Sequence, residues 1–241
     1  MARAADLDRL YELLADLERR VGGTRKLKNC TGYMDWPDRG VYVFLEPGET
    51  RASGQRRVTR VGTHAVSAGS STSLWDRLKQ HYGTGNRSAD HPHGGNHRGS
   101  VYRKRVGEAI IEKYGLHDDY PDWGERWSTI DRDRTEVRDE EYPLERRVST
   151  YIREQPFLWV ALDDEPSPDS DRAFVERNAI ALLSNVDSAT LDPRPDDWLG
   201  HHSRSRQIRA SGLWNVAHTE DAYDPRFLDR LERAVAETGT R

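Results

Sequence analysis

The stretch Arg39-Gly40-Val41-Tyr42-Val43-Phe44 decides the fold. It is followed by Arg60-Val61-Gly62-Thr63-His64 and then by Leu74-Trp75-Asp76-Arg77-Leu78-Lys79-Gln80-His81. Gly40 to Leu45 reads as a strand rich in β-branched and aromatic residues, and Arg57 to Val61 as a second. Glu46-Pro47-Gly48-Glu49-Thr50 between them is a turn signal, so an antiparallel hairpin is expected. Ala65 to Ser73 is a loop of small residues. Ser71, Thr72 or Ser73 can cap the helix that follows, which is predicted to run to His81 or Tyr82 and stop at Gly83.

Outward from this hairpin and helix, Leu7, Leu10, Leu13, Leu14 and Leu17 recur at helical spacing over residues 4–20, and Gly22-Gly23 ends that helix. Residues 84–99, rich in Gly, His, Asn and Ser, predict a long loop. Helices are expected over 101–114, 144–153, 172–183 and 225–237. Residues 115–140 are acidic and weakly patterned. Phe157 to Leu162 predicts a third strand, and 192–200 a Pro- and Asp-rich loop. The sum is an α+β fold: a small three-stranded mixed or antiparallel sheet flanked by helices, with a helical insertion and a helical C-terminal extension. Residues 1–241 read as a single domain. It comprises an N-terminal helix in 1–25, a core in 38–82 and 156–186, an insertion at 84–155 and an extension at 190–241.

Composition narrows the function. Charged residues make up 32% of the chain and hydrophobic residues 35%, with seven Trp and ten Tyr to fill a core short of aliphatics. One cysteine excludes an intramolecular disulfide and a Cys-cluster zinc site. No apolar run has membrane-spanning length, and a cytoplasmic protein is expected, with no membrane partner. A net charge of −4 argues against a chain that coats nucleic acid non-specifically, but a local basic face would suffice for binding. No GxxxxGK[ST], GxGxxG or GxSxG motif supports nucleotide hydrolysis, dinucleotide binding or a serine hydrolase.

Several side chains can carry chemistry. Arg77 and His81, four apart, share one face of their helix. Arg offers a fixed fork of donors to a phosphate, and His can move a proton near neutral pH. Gly62 fits a place where another backbone or a phosphate comes close. Arg60 is either an exposed strand residue or a second phosphate ligand, and His64 stands just past the strand. Glu176, in Phe174-Val175-Glu176-Arg177-Asn178, is either an acid favoured by the helix dipole or a ligand for a single divalent ion. Tyr42 taken alone is a half-buried strand tyrosine. Arg98, Arg103, Lys104 and Arg105 gather at a predicted helix N-terminus and offer a phosphate-contacting surface, to which Ser203 to Arg209 could add. His91, His93 and His97 lie in a Gly- and Pro-containing segment without a partner pair, so zinc is not expected.

The order of these motifs resembles the GIY-YIG nuclease superfamily. The resemblance covers residues about 38–82 and 156–186. It implies a metal-dependent endonuclease acting on DNA, with RNA not excluded, and a single Mg²⁺ or Mn²⁺. It places Tyr42 at the active centre to orient or deprotonate water, Arg77 and His81 as catalytic residues, and Glu176 as the metal ligand. Asn185 completes the set, with Asn178 and Asn215 as rivals. Arg60 stands where the family's second motif has a tyrosine. Arg60 or His64 would have to supply that role, or the chain is a nucleic-acid-binding module that has lost catalysis. Convergence of Tyr42, Arg77, His81 and Glu176 on one cleft would separate these readings. The amphipathic terminal helices could form a homodimer or cap the core.

Overall fold

The computed structural model describes residues 2–51, 53–85, 90–186 and 188–239, so residues 86–89 of the loop expected at 84–99 lie outside the described residues. In chain order the elements are α1 (Ala2–Arg20), β1 (Arg25–Lys26), β2 (Gly40–Thr50), β3 (Arg56–Gly62), α2 (Leu74–Tyr82), α3 (Val101–Tyr114), α4 (Arg134–Glu154), β4 (Pro156–Ala161), α5 (Asp171–Leu183), α6 (Arg206–Ser211) and α7 (Phe227–Glu237). The strands form one antiparallel sheet in the order β1-β4-β2-β3.

Alternation along the strands sorts the core into two layers. Val41, Val43, Leu45, Val58, Val61, Leu158 and Val160 face α1, α5 and α7. Tyr42, Phe44, Phe157 and Trp159 face α2, α3 and α4, together with Trp198 and Trp214. The aliphatics thus fill one side and the aromatics the other. The C-terminal extension also covers the sheet edge: Trp214 N donates to Thr59 O at 2.7 Å, and the Asn215 amide pairs with Val61 N at 3.1 Å and Val61 O at 2.8 Å. Unpaired groups of β3 are thereby hidden from other chains.

The structure corrects four expectations. The sheet has a fourth strand, β1, whose two residues pair with Phe157 and Pro156 and are too few to show a period. The segment 46–50 is not the hairpin turn. It continues β2 through irregular register, Gly48 taking φ +80°, to the pair Thr50 and Arg56, beyond which Arg51 N donates to Gln55 O. Helix α4 starts at Arg134, ten residues before the predicted 144, because Asp133 caps Thr135 N and Glu136 N. Finally, α1 and α7 spend their apolar faces on the common core, so they cap it, and a homodimer through those faces is not supported. Among the described residues no helix is long and apolar enough to cross a membrane.

Candidate active site

The hairpin sets the first contact. Tyr42 on β2 stands opposite Gly62 on β3. A Cβ at Gly62 would fall 2.4 Å from Tyr42 Oη, so only glycine lets the phenol lie across the strand. Tyr42 Oη is 2.7 Å from Nε2 of His81, in the last turn of α2. That helix begins at Ser73, which forms a reciprocal capping box with Asp76. Four residues of helix then bring Arg77 and His81 to the same side, as the spacing requires.

Tyr42 and His81 are fully enclosed. Nδ1 of His81 lies 2.9 Å from Ser100 Oγ, and Arg103 Nη1 donates to His81 O at 2.9 Å. Burial pushes the His81 pKa well below its ordinary value, and Arg60, Arg77 and Arg103 push it further, so the ring is neutral near pH 7. A neutral imidazole between two hydroxyls has two proton arrangements. Either Tyr42 donates to Nε2 while Nδ1 donates to Ser100, or Ser100 donates to Nδ1 while Nε2 donates to Tyr42.

Glu176 reaches the same place from the opposite layer. It sits on α5, which packs on the aliphatic face, and its Oε1 accepts from Thr63 N at 3.2 Å, one residue beyond Gly62. Glu176 and Arg77 are only partly covered, whereas Tyr42 and His81 are fully buried. Burial raises the Glu176 pKa, and Arg60, His218, the Thr63 amide and Arg77 oppose the rise. Arg60 and Arg77 therefore act electrostatically on both Glu176 and His81. Arg60 is buried over the Tyr102 ring at 4.7 Å, with Nη1 donating to Trp214 O at 3.2 Å and Nε without a partner. Arg77 Nη1 donates to Gln80 Oε1 at 2.7 Å, and its Nε also lacks a partner.

His64 adds a defined acceptor. Its Nδ1 is 2.8 Å from Thr72 O, and a carbonyl can only accept, so the neutral ring carries hydrogen on Nδ1 and a lone pair on Nε2. That Nε2 is buried and unpartnered. Burial, then Arg172, Arg77 and Arg39 working against the Thr72 bond, lower the His64 pKa to about 4. Arg172 holds this loop: buried at the start of α5, it donates to His64 O and Ala65 O and pairs with Asp164. Sequence reading passed over Arg172, Asp164 and Ser100. An arginine in the first turn of a helix runs against the helix dipole, a detectable hint of a specific partner. Ser100 shows only its capping role in the sequence.

Other sequence candidates lie elsewhere. Asn185 donates to Asp192 O at 3.1 Å and Ser211 O at 3.2 Å, joining the loop after α5 to the end of α6 beside Gly212. Asn178 bonds Phe174 O and Asp224 N within its own layer. Asn215 lies beside Arg60 and Gly62, but its amide is spent on Val61. Arg103 does not reach a surface: it is fully buried and paired with Glu145. Arg98 is bidentate to Glu141 at 2.6 and 2.8 Å. Lys104 donates to Gly124 O and Arg105 to Glu108. The basic cluster at the start of α3 thus serves mainly to tie the insertion together, because each cation meets an acid or carbonyl from 108–145; only Glu108 is close in sequence to its partner, and the others were hidden by distance along the chain.

Among the described residues no group of three or more His, Cys, Asp or Glu could share a metal ion. A lone carboxylate suits Mg²⁺ or Mn²⁺ that keeps most of its waters, not a zinc enclosed by protein. A family model for the GIY-YIG domain matches residues 1–241. No curated protein and no solved structure matches the chain.

Proposed function

This chain belongs to the GIY-YIG family, and from that premise we propose that it is a metal-dependent endonuclease hydrolysing phosphodiester bonds of DNA. The observation that carries the reading is the meeting of Tyr42, Gly62, Thr63 and Glu176 at one end of β3, with Arg60 and Arg77 acting on both Glu176 and His81. Arg77, with Arg60 behind it, holds the scissile phosphate and stabilises the charge that grows on it during attack. Glu176 would hold the Mg²⁺ or Mn²⁺, and the ion would supply positive charge to the phosphate and the leaving oxygen. Tyr42, fixed by His81, lines the position of the attacking water, and the bare Nε2 of His64 offers that water an acceptor. The attacking water gives a proton to His64 Nε2 as its oxygen bonds to phosphorus, the bond to the leaving oxygen breaks, and that oxygen takes a proton from solvent.

The full enclosure of Tyr42 and His81 favours a second reading, a nucleic-acid-binding module without catalysis. Cleavage of plasmid DNA with and without Mg²⁺ or Mn²⁺ tests both. Metal-dependent cutting by wild type, lost in Glu176→Ala and Arg77→Ala, is expected for the nuclease. Gel retardation without cutting under any of these conditions would leave the binding module.

A further inference from the structure

On the other side of α2 the insertion builds a second feature. A cleft of ≈ 470 Å³ opens between the end of α2, the segments 83–84 and 95–99, and α4. Its size falls within the roughly 300–1,000 Å³ of small-molecule sites. Three rings line it: His91 and Tyr142, edge to face at 4.9 Å, and Trp127. Three guanidiniums surround Trp127, those of Arg98 at 4.0 Å, Arg134 at 5.5 Å and Arg138 at 5.6 Å.

The charge left for a ligand is positive. Of the acids on the wall, Glu141 is held by Arg98 and Glu145 by Arg103 and His97, while Asp76 keeps its charge in the capping box against the two cations Lys79 and Arg138. Asp139, nearby, meets His91 at 2.8 Å. Exposed Lys79 and Arg138 form no ion pair among the described residues, although Lys79 acts at longer range on Asp76. The exposed amides of Gln80 and Asn96 add hydrogen-bonding groups. Gln80 also accepts the 2.7 Å hydrogen bond from Arg77, so an occupant lies one side chain from the candidate phosphate ligand.

Aromatic rings with unpaired cations and amides match a nucleotide whose base is outside the stack, because a base within a duplex cannot present its face. We propose that this cleft captures an unpaired nucleotide of the substrate strand beside the cut, at a bulge or a flap. The proposal rests on the nuclease reading for its substrate, but its binding step is separable from cleavage. The arrangement explains why so much of the insertion's charge is neutralised internally while the rim cations are left open.

The test is fluorescence anisotropy in EDTA with two DNAs of one sequence, a perfect duplex and the same duplex carrying one bulged 2-aminopurine. Wild type should bind the bulged DNA about tenfold more tightly and quench its emission by stacking. Trp127→Ala and Arg138→Glu should bind both DNAs alike. Arg138 is exposed, so its variant should keep the wild-type melting midpoint, which separates lost capture from lost folding. Equal binding of the two DNAs by wild type, or a preference unchanged in both variants, would overturn the proposal. Metal-dependent cutting of both DNAs with no preference would overturn it and leave the nuclease standing. Preferential bulge binding without any cutting would support capture and sink the nuclease.

Discussion

At the scale of single residues, the centre depends on close approaches that tolerate little. Gly62→Ala puts a methyl group 2.4 Å from Tyr42 Oη. Relief requires the phenol or the strand to move, at a cost of about 1–3 kcal/mol for overpacking. A lower urea midpoint with cleavage reduced more than stability is the expected pair of results. An unchanged midpoint would show that the phenol moves freely. Ser100→Ala removes the hydroxyl 2.9 Å from His81 Nδ1. An enclosed imidazole nitrogen then lacks its partner, which should cost about 1–3 kcal/mol. The variant should also cut more slowly at fixed folded fraction, because the ring loses the bond at Nδ1 that helps to fix which nitrogen carries hydrogen toward Tyr42. Cleavage equal to wild type would reduce Ser100 to a helix cap.

At the scale of elements, one contact ties α5 to the hairpin and one cap sets the start of α4. Arg172, paired with Asp164 from the loop after β4, ties the start of α5 to the loop after β3 through His64 O and Ala65 O, and α5 is the element that delivers Glu176. Asp164→Asn leaves the buried guanidinium without its counter-charge. The loss should lie at the low end of the roughly 3–5 kcal/mol for breaking a buried pair, since the Asp164 side chain is 22% exposed. Denaturant titration measures it, and a loss near zero would mean that the two carbonyl acceptors suffice. Asp133→Ala uncaps α4 and should cost about 1 kcal/mol. Because α4 walls the second cleft while lying outside the hairpin, bulge preference should weaken before plasmid cutting does. The reverse order would place the control of cutting in α4.

At the scale of the whole molecule, buried titratable groups shape stability with opposite signs. Glu46, enclosed near Glu49, is pushed from its ordinary 4.5 up to about 7. The unfolded chain loses this proton first as pH rises, so stability falls from about pH 4.5 through about 7 and then levels. Glu46→Gln removes that loss and should gain on wild type over this range, by at most about 3 kcal/mol. Urea midpoints at pH 4.5 and 8 test it, and a constant offset between the two proteins would refute it. His64, lowered from 6.5 to about 4, works the other way. Its contribution is complete above pH 6.5 and is lost as pH falls toward 4, and His81 acts in the same direction. Neither histidine should therefore impose a limb near pH 6.5 on cleavage.

The hairpin, α2 with Arg77 and His81 on one face, β4 and α5 were legible in the sequence because each is a local pattern. Period two marks a strand, period 3.6 a helix, and Gly62 a close approach. Other features required the third dimension. The two-residue β1 is too short to have a period, and the bulged end of β2 hid inside a turn signal. Ser100, Arg172 and Asp164 matter through partners far along the chain, as do the acids that neutralise Arg98 and Arg103. Asn185 also bonds to partners that chain distance does not reveal, Asp192 O and Ser211 O. Sequence alone determines which groups are available and which neighbours share a face. Only packing decides which charges are spent on one another, because burial makes an unpaired charge costly and selects its partner from anywhere in the chain.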